Sequence, residues 1–185
     1  MSVKHIPLAN KIITTFILSL SLFFISGTAS AFTNINTGAK DNITSHIGKN
    51  KWTIMEVWTS DCPSCRAHMP EMVKFDGKLK NARIVGVSLD GQRGKEDAQD
   101  FIDEFDIKFP TILSNAIEMN VWMQQNLGEP LVGTPTFILF DPEGKLVAAQ
   151  PGIVATASLE KFIIQNSKPD QDEVEVVDVT TDTNQ

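Results

Sequence analysis

The chain's two cysteines stand three apart, as Cys62-Pro63-Ser64-Cys65, between a β-rich run (Thr53 to Trp58) and a stretch of helical spacing that begins at Pro63. No other feature constrains the fold as tightly. On a first helical turn, residues i and i+3 bring their sulfurs to one side, close enough to bond. Cys62 then falls at the helix N-terminus, where unpaired amide groups and the positive end of the dipole favour an anion. Its thiolate is therefore expected to be stabilised and its pKa lowered. Pro63 suits the first helical position, because its missing N–H has no intrahelical acceptor there. Cys65, one turn in, is expected to be more buried and to stay protonated until it attacks a mixed disulfide.

Competing uses of two cysteines fit less well. A haem attachment site needs His directly after the second Cys, and Arg66 stands there. A zinc site needs two further ligands, and His46 and His68 complete no recognised spacing. A structural disulfide closing so short a loop adds little stability. No metal or organic cofactor is implied. Charge narrows the partners: 16 Lys and Arg against 23 Asp and Glu leave a net charge of -7. An acidic chain without a basic run argues against nucleic acid.

The 185 residues divide by composition. Residues 1–31 read as a secretory signal peptide: Lys4, His5 and Lys11, an apolar run from Ile12 to Ile25, and small residues at Ala29 and Ala31 with cleavage expected after the latter. An uncleaved membrane anchor is the alternative. A signal peptide implies an oxidising compartment, most simply a bacterial periplasm. Residues 32–167 are long enough for one hydrophobic core. Residues 168–185 carry six acids, one Lys and no aromatic residue, and are expected to form an acidic, disordered tail.

Within the middle segment, residues 32–50 look like a loose polar lead-in. Thr53–Trp58 predicts a central strand and Arg83–Leu89 a second. Pro63 to about Lys80 predicts a helix interrupted by Pro70. Ala98, Phe101, Ile102 and Phe105 follow i, i+3, i+4, i+7 and predict a helix over 95–106. Phe109–Leu113 reads as a short extended piece, and Asn115–Asn126 as a helix with Ile117, Val121 and Trp122 inward. Thr136–Phe140, a turn at Asp141–Gly144 and Lys145–Ala149 make a hairpin. Ser158–Gln165 closes the chain as a helix. Strands alternating with helices, then a hairpin, predict an α/β fold: a mixed central sheet with helices on both faces.

The segment from Val57 to Pro70, the Thr134-Pro135 pair and the following hairpin together resemble the thioredoxin superfamily, specifically the extracytoplasmic TlpA/ResA-type thioredoxin-like proteins. Pro70 matches the proline that kinks that family's active-site helix, and Val85 to Asp90 its second strand. The resemblance implies a thioredoxin-like fold with Cys62 and Cys65 as the catalytic pair. It implies that Pro135 is a cis proline packed against the disulfide. It also implies that the backbone of Thr134 pairs with an extended substrate, and that Pro63 and Ser64 lie on the substrate side. Trp58 matches an aromatic near the active site, either core packing or substrate contact. Glu56, six residues before Cys62, matches the buried acid of thioredoxins. Strand alternation puts Ile54, Glu56 and Trp58 on one face, so burial should raise the Glu56 pKa and suit it to take the Cys65 proton. Arg66 and His68 are expected to face solvent. The family has Trp before the first cysteine; Asp61 stands there instead, and a carboxylate beside Cys62 disfavours its thiolate.

The resulting reading is a periplasmic thiol–disulfide oxidoreductase. It exchanges disulfides with substrate proteins and draws on a membrane or periplasmic redox partner. The resemblance points to a reductant, as in cytochrome c maturation. An oxidase or isomerase of the same fold, or a thioredoxin-fold binding protein with a structural disulfide, remains open on the residues alone.

Overall fold

The computed structural model describes residues 32–167; the expected signal peptide and acidic tail lie outside the described residues. Six strands form one sheet in the order β1-β4-β3-β2-β5-β6. Their ranges are β1 Thr33–Asn34, β2 Trp52–Trp58, β3 Ala82–Ser88, β4 Thr111–Leu113, β5 Thr136–Phe140 and β6 Leu146–Pro151. β2, β3 and β4 run parallel, while β5 is antiparallel to β2 and β6 to β5. Four helices accompany them among the described residues: α1 Pro63–Phe75, α2 Lys95–Phe105, α3 Ala116–Leu127 and α4 Thr156–Asn166. The α/β architecture expected from the alternation of elements is therefore present.

β2 is bonded to β3 on one edge and β5 on the other, and all seven of its residues are buried. Its side chains alternate between two cores. Ile54 and Trp58 join Met69 and Met72 of α1, Phe101 of α2 and Leu159 and Ile163 of α4. Met55 and Val57 join Val85, Val87, Ile138 and the Met119, Trp122 and Met123 face of α3. Each face of the sheet thus gives up apolar area to a helix layer, at about 25 cal/mol per Å² removed from water.

Several elements differ from the sequence expectation. α1 passes through Pro70 and stops at Phe75, not near Lys80. The main chain turns there through Gly77 at φ +74°, a left-handed conformation that favours glycine. α3 turns Met119, Trp122 and Met123 inward, whereas Ile117 (77% exposed) and Val121 face solvent. The i, i+3, i+4 trio is wider than the Ile117–Val121 pair, and it sets the phase. The lead-in is not loose. Asn42 caps a short 3-10 turn over Ile43–His46 by accepting a hydrogen bond from the Thr44 N–H, and Ile35 and Ile43 are buried.

Gly86 of β3 lies opposite Glu56 of β2. A Cβ there would stand 2.9 Å from Thr111 Oγ1 and 3.1 Å from Trp58 Nε1. The Trp58 indole occupies that space and stacks on Phe101 with ring centroids 4.4 Å apart. We predict that Gly86→Ala destabilises the protein by about 1–3 kcal/mol through overpacking. Urea unfolding should show a lower midpoint with an unchanged slope.

Candidate active site

The site is built where β2 ends and α1 begins. Cys62 is the N-cap of α1, with extended backbone, and Pro63 occupies the first turn. The Cys65 N–H donates to Cys62 Sγ at 3.1 Å, so one of the orphan amides of the helix terminus is aimed at the sulfur. The two sulfurs are joined in a disulfide with Cα atoms 5.2 Å apart. Cys62 is 7% exposed and Cys65 is fully buried, so only the first sulfur is open to attack. Pro63 and Ser64 are exposed between them, and Ser64 Oγ lies 3.3 Å from Cys62 Sγ. The Thr134–Pro135 bond is cis, with Pro135 buried and Thr134 half-buried.

The loop before Cys62 is held by an acid that follows β3. Asp90 accepts hydrogen bonds from the Ser60 N–H (3.1 Å), the Ser60 hydroxyl (2.6 Å) and the Ser88 hydroxyl (2.7 Å). One carboxylate thus ties the loop to the end of β3. An acid directly after a strand and beside a glycine was the available signal. Asp61 itself is exposed.

Arg66 does not simply face solvent. Its guanidinium bonds Glu104 of α2, donates to the Ser60 carbonyl at 3.2 Å and lies over the rings of Phe101 and Phe105 at 5.5 and 5.3 Å. Its charge is shared with α2 rather than held over Cys62. Trp58, weighed as a substrate contact, is 0% exposed and packs inside the core. Its stack on Phe101 accounts for it as packing.

Glu56 is 0% exposed on the same face of β2 as Ile54 and Trp58. Burial raises its pKa, opposed in part by His68 beside it. The expectation that His68 faces solvent is corrected: it is 4% exposed, with Nδ1 4.0 Å from Glu56 Oε1. The sequence held the signal, since positions 65, 68, 69 and 72 follow i, i+3, i+4, i+7. The helical phase, rather than the polarity of the side chain, decides the face on which His68 lies.

The model of the AhpC/TSA family matches residues 25–149, more than half of the chain. The chain belongs to the AhpC/TSA family. Among curated relatives of this AhpC/TSA protein, thiol-disulfide oxidoreductase ResA of Halalkalibacterium halodurans is 25% identical over 115 residues, 62% of this chain and 62% of that protein. The match therefore spans less than two thirds of that relative's length. Sporulation thiol-disulfide oxidoreductase A of Bacillus subtilis is 25% identical over 117 residues, 62% of this chain and 67% of that protein. A crystal structure of the thioredoxin domain of a thiol-disulfide oxidoreductase from Bacteroides vulgatus superposes with a TM-score of 0.57 at 25% identity, covering 74% of this chain and 96% of that one. The fold is thioredoxin-like, as the resemblance implied.

Two outcomes are expected. Asp90→Ala removes the acceptor for three donors and should cost about 1–3 kcal/mol of stability, with faster amide exchange at Ser60. Glu56 has a folded pKa above its ordinary 4.5. Its native carboxyl is therefore tolerated while protonated, and stability is lost as pH rises above 4.5 toward the folded pKa. Glu56→Gln should raise Tm at neutral pH and flatten that decline, measured by thermal melts from pH 4 to 8.

Proposed function

We propose that the protein is an extracytoplasmic thiol–disulfide oxidoreductase, and that it exchanges disulfides with substrate proteins through Cys62 and Cys65. The observation that carries this reading is the asymmetry of the pair: an N-capping cysteine that keeps 7% exposure between exposed neighbours, bonded to a cysteine with none. The names of the relatives above support the same chemistry.

Reduced Cys62 attacks a substrate disulfide. Its thiolate electron pair forms the mixed disulfide, and the first substrate sulfur leaves as a thiolate that takes a proton from solvent. The Cys65 N–H that now points at Cys62 Sγ stabilises the anion before attack. Cys65 then loses its proton, with Glu56 as acceptor, and attacks Cys62 Sγ. The Cys62–Cys65 bond forms, the second substrate sulfur departs, and two electrons have passed to the substrate. Pro63, Ser64, Pro135 and the backbone of Thr134 form the substrate side. Trp58 acts only through packing. A thiol partner in the periplasm or its membrane restores the dithiol. No metal or organic cofactor enters this scheme.

The TlpA/ResA resemblance favours the reductant direction. Equilibration of the Cys62–Cys65 pair against glutathione should give a potential nearer the −270 mV of thioredoxin than the −120 mV of a strong oxidant. A value at the oxidising end reverses the proposed direction of electron flow. Cys65→Ala should accumulate partner proteins as mixed disulfides that dithiothreitol releases, and Cys62→Ala should accumulate none. Absence of trapped partners with Cys65→Ala would leave a binding protein with a structural disulfide.

A further inference from the structure

Two titratable side chains are sealed between α1 and β2 with their polar atoms unpaired. Both oxygens of Glu56 and both ring nitrogens of His68 are buried without a hydrogen-bond partner. Buried polar groups left in this state are rare and costly. An imidazole and a carboxyl sharing it next to a reactive pair point to chemistry rather than packing.

The geometry orders them. His68 Nδ1 stands 4.0 Å from Glu56 Oε1, while Nε2 on the opposite side of the ring stands 3.7 Å from Glu71 Oε2. Glu71 has 62% of its side chain exposed, so its carboxylate is solvated. One ring therefore faces a buried carboxyl with one nitrogen and a surface carboxyl with the other. The ring of Phe137, from β5, meets the imidazole edge-on at 5.5 Å between centroids and closes that side. Cys65 precedes His68 by one helical turn. The ring thus meets Glu56 from β2, Phe137 from β5 and Glu71 from α1, with Cys65 one turn before it on the same helix.

We propose that His68 is a proton-relay positioning residue: it carries the proton that Glu56 takes from Cys65 out to the surface at Glu71. The inference rests on the disulfide-exchange reading above. Neutral imidazole accepts a proton on one nitrogen while releasing one from the other, so the relay needs no large movement. Both gaps exceed hydrogen-bond length by about an ångström or less and close by small side-chain rotations.

The step balances. The Cys65 S–H proton passes to the Glu56 carboxylate, and the sulfur electron pair forms the bond to Cys62 Sγ. The bond from Cys62 Sγ to the substrate sulfur breaks, its pair stays on the substrate, and that sulfur is protonated from solvent. The Glu56 carboxyl returns its proton to His68 Nδ1, and the proton on Nε2 leaves through Glu71. Glu56 is then ready for another turnover. Without His68 the proton is confined in apolar surroundings. The carboxyl also loses the imidazole that opposes the upward push of burial, so it stays protonated to higher pH.

A chromogenic aryl disulfide separates the two exchange steps, because attack by Cys62 releases one aryl thiolate and resolution by Cys65 releases the second. The reduced protein is mixed with this probe from pH 5 to 9. His68→Gln should leave the first phase in place and slow the second about tenfold near neutral pH. The midpoint of the second phase should move to higher pH, converging on the wild-type rate where hydroxide deprotonates Cys65 directly. Glu71→Gln should slow the second phase about threefold in the same pH range. The double variant Glu56→Gln/His68→Gln should be no slower than Glu56→Gln alone. A His68→Gln profile superimposable on wild type overturns the relay, as does a double variant slowed by the full product of the single effects. If His68→Gln does not fold, Glu71→Gln, altered only at the surface, decides the matter: an unchanged second phase overturns the proposal. Failure of the exchange reading itself looks different, since the wild type then shows no second phase.

Discussion

β2 is hydrogen-bonded along both edges and covered on both faces, and the rest of the molecule depends on that double enclosure. A strand so held delivers its C-terminal end to a fixed point, and the chain leaves it through Thr59, Ser60 and Asp61 directly into the N-cap of α1. The sulfur pair is therefore positioned by the longest fully buried strand of the sheet, not by the loop that carries it. The same enclosure puts Glu56 where water does not reach, so its protonation is set by the protein interior.

The active-site loop is tightened from two further directions. Asp90 draws the Ser60 backbone and hydroxyl toward β3, and Arg66 links the Ser60 carbonyl to Glu104 and the aromatic pair of α2. Both operate on the same residue, so the segment leading into Cys62 has its donor and its acceptor occupied by side chains from different elements. Hydrogen bonds to ionised groups are the stronger kind.

Much of this was legible in the chain itself, for identifiable reasons. Strands β2, β3 and β5 are short β-branched and apolar runs bounded by polar turns, and α2 carries an unbroken i, i+3, i+4, i+7 stripe. The cysteine pair was readable because a proline follows the first cysteine at the mouth of a helix. The inward face of α3 was misjudged because two β-branched residues outweighed two methionines, although methionine fills core space well. His68 was misjudged because a titratable type was given more weight than its place in the helical phase. Asp90 was passed over because its three donors come together only once β3 is laid beside β2. The family resemblance supplied what spacing alone does not: the cis bond at Pro135 and a role for the residues around it.

Asp61, Pro63 and Ser64 sit exposed around a sulfur that is itself fixed from below. Asp61 and Ser64 are surface positions free of the backbone role that Pro63 has at the first helical turn, and such positions usually exchange within about half a kcal/mol of stability. Changes at these two neighbours therefore alter the surroundings of the Cys62 sulfur, while the scaffold beneath registers almost nothing. Evolvability of the chemistry and robustness of the architecture are assigned here to different residues, one helical turn apart.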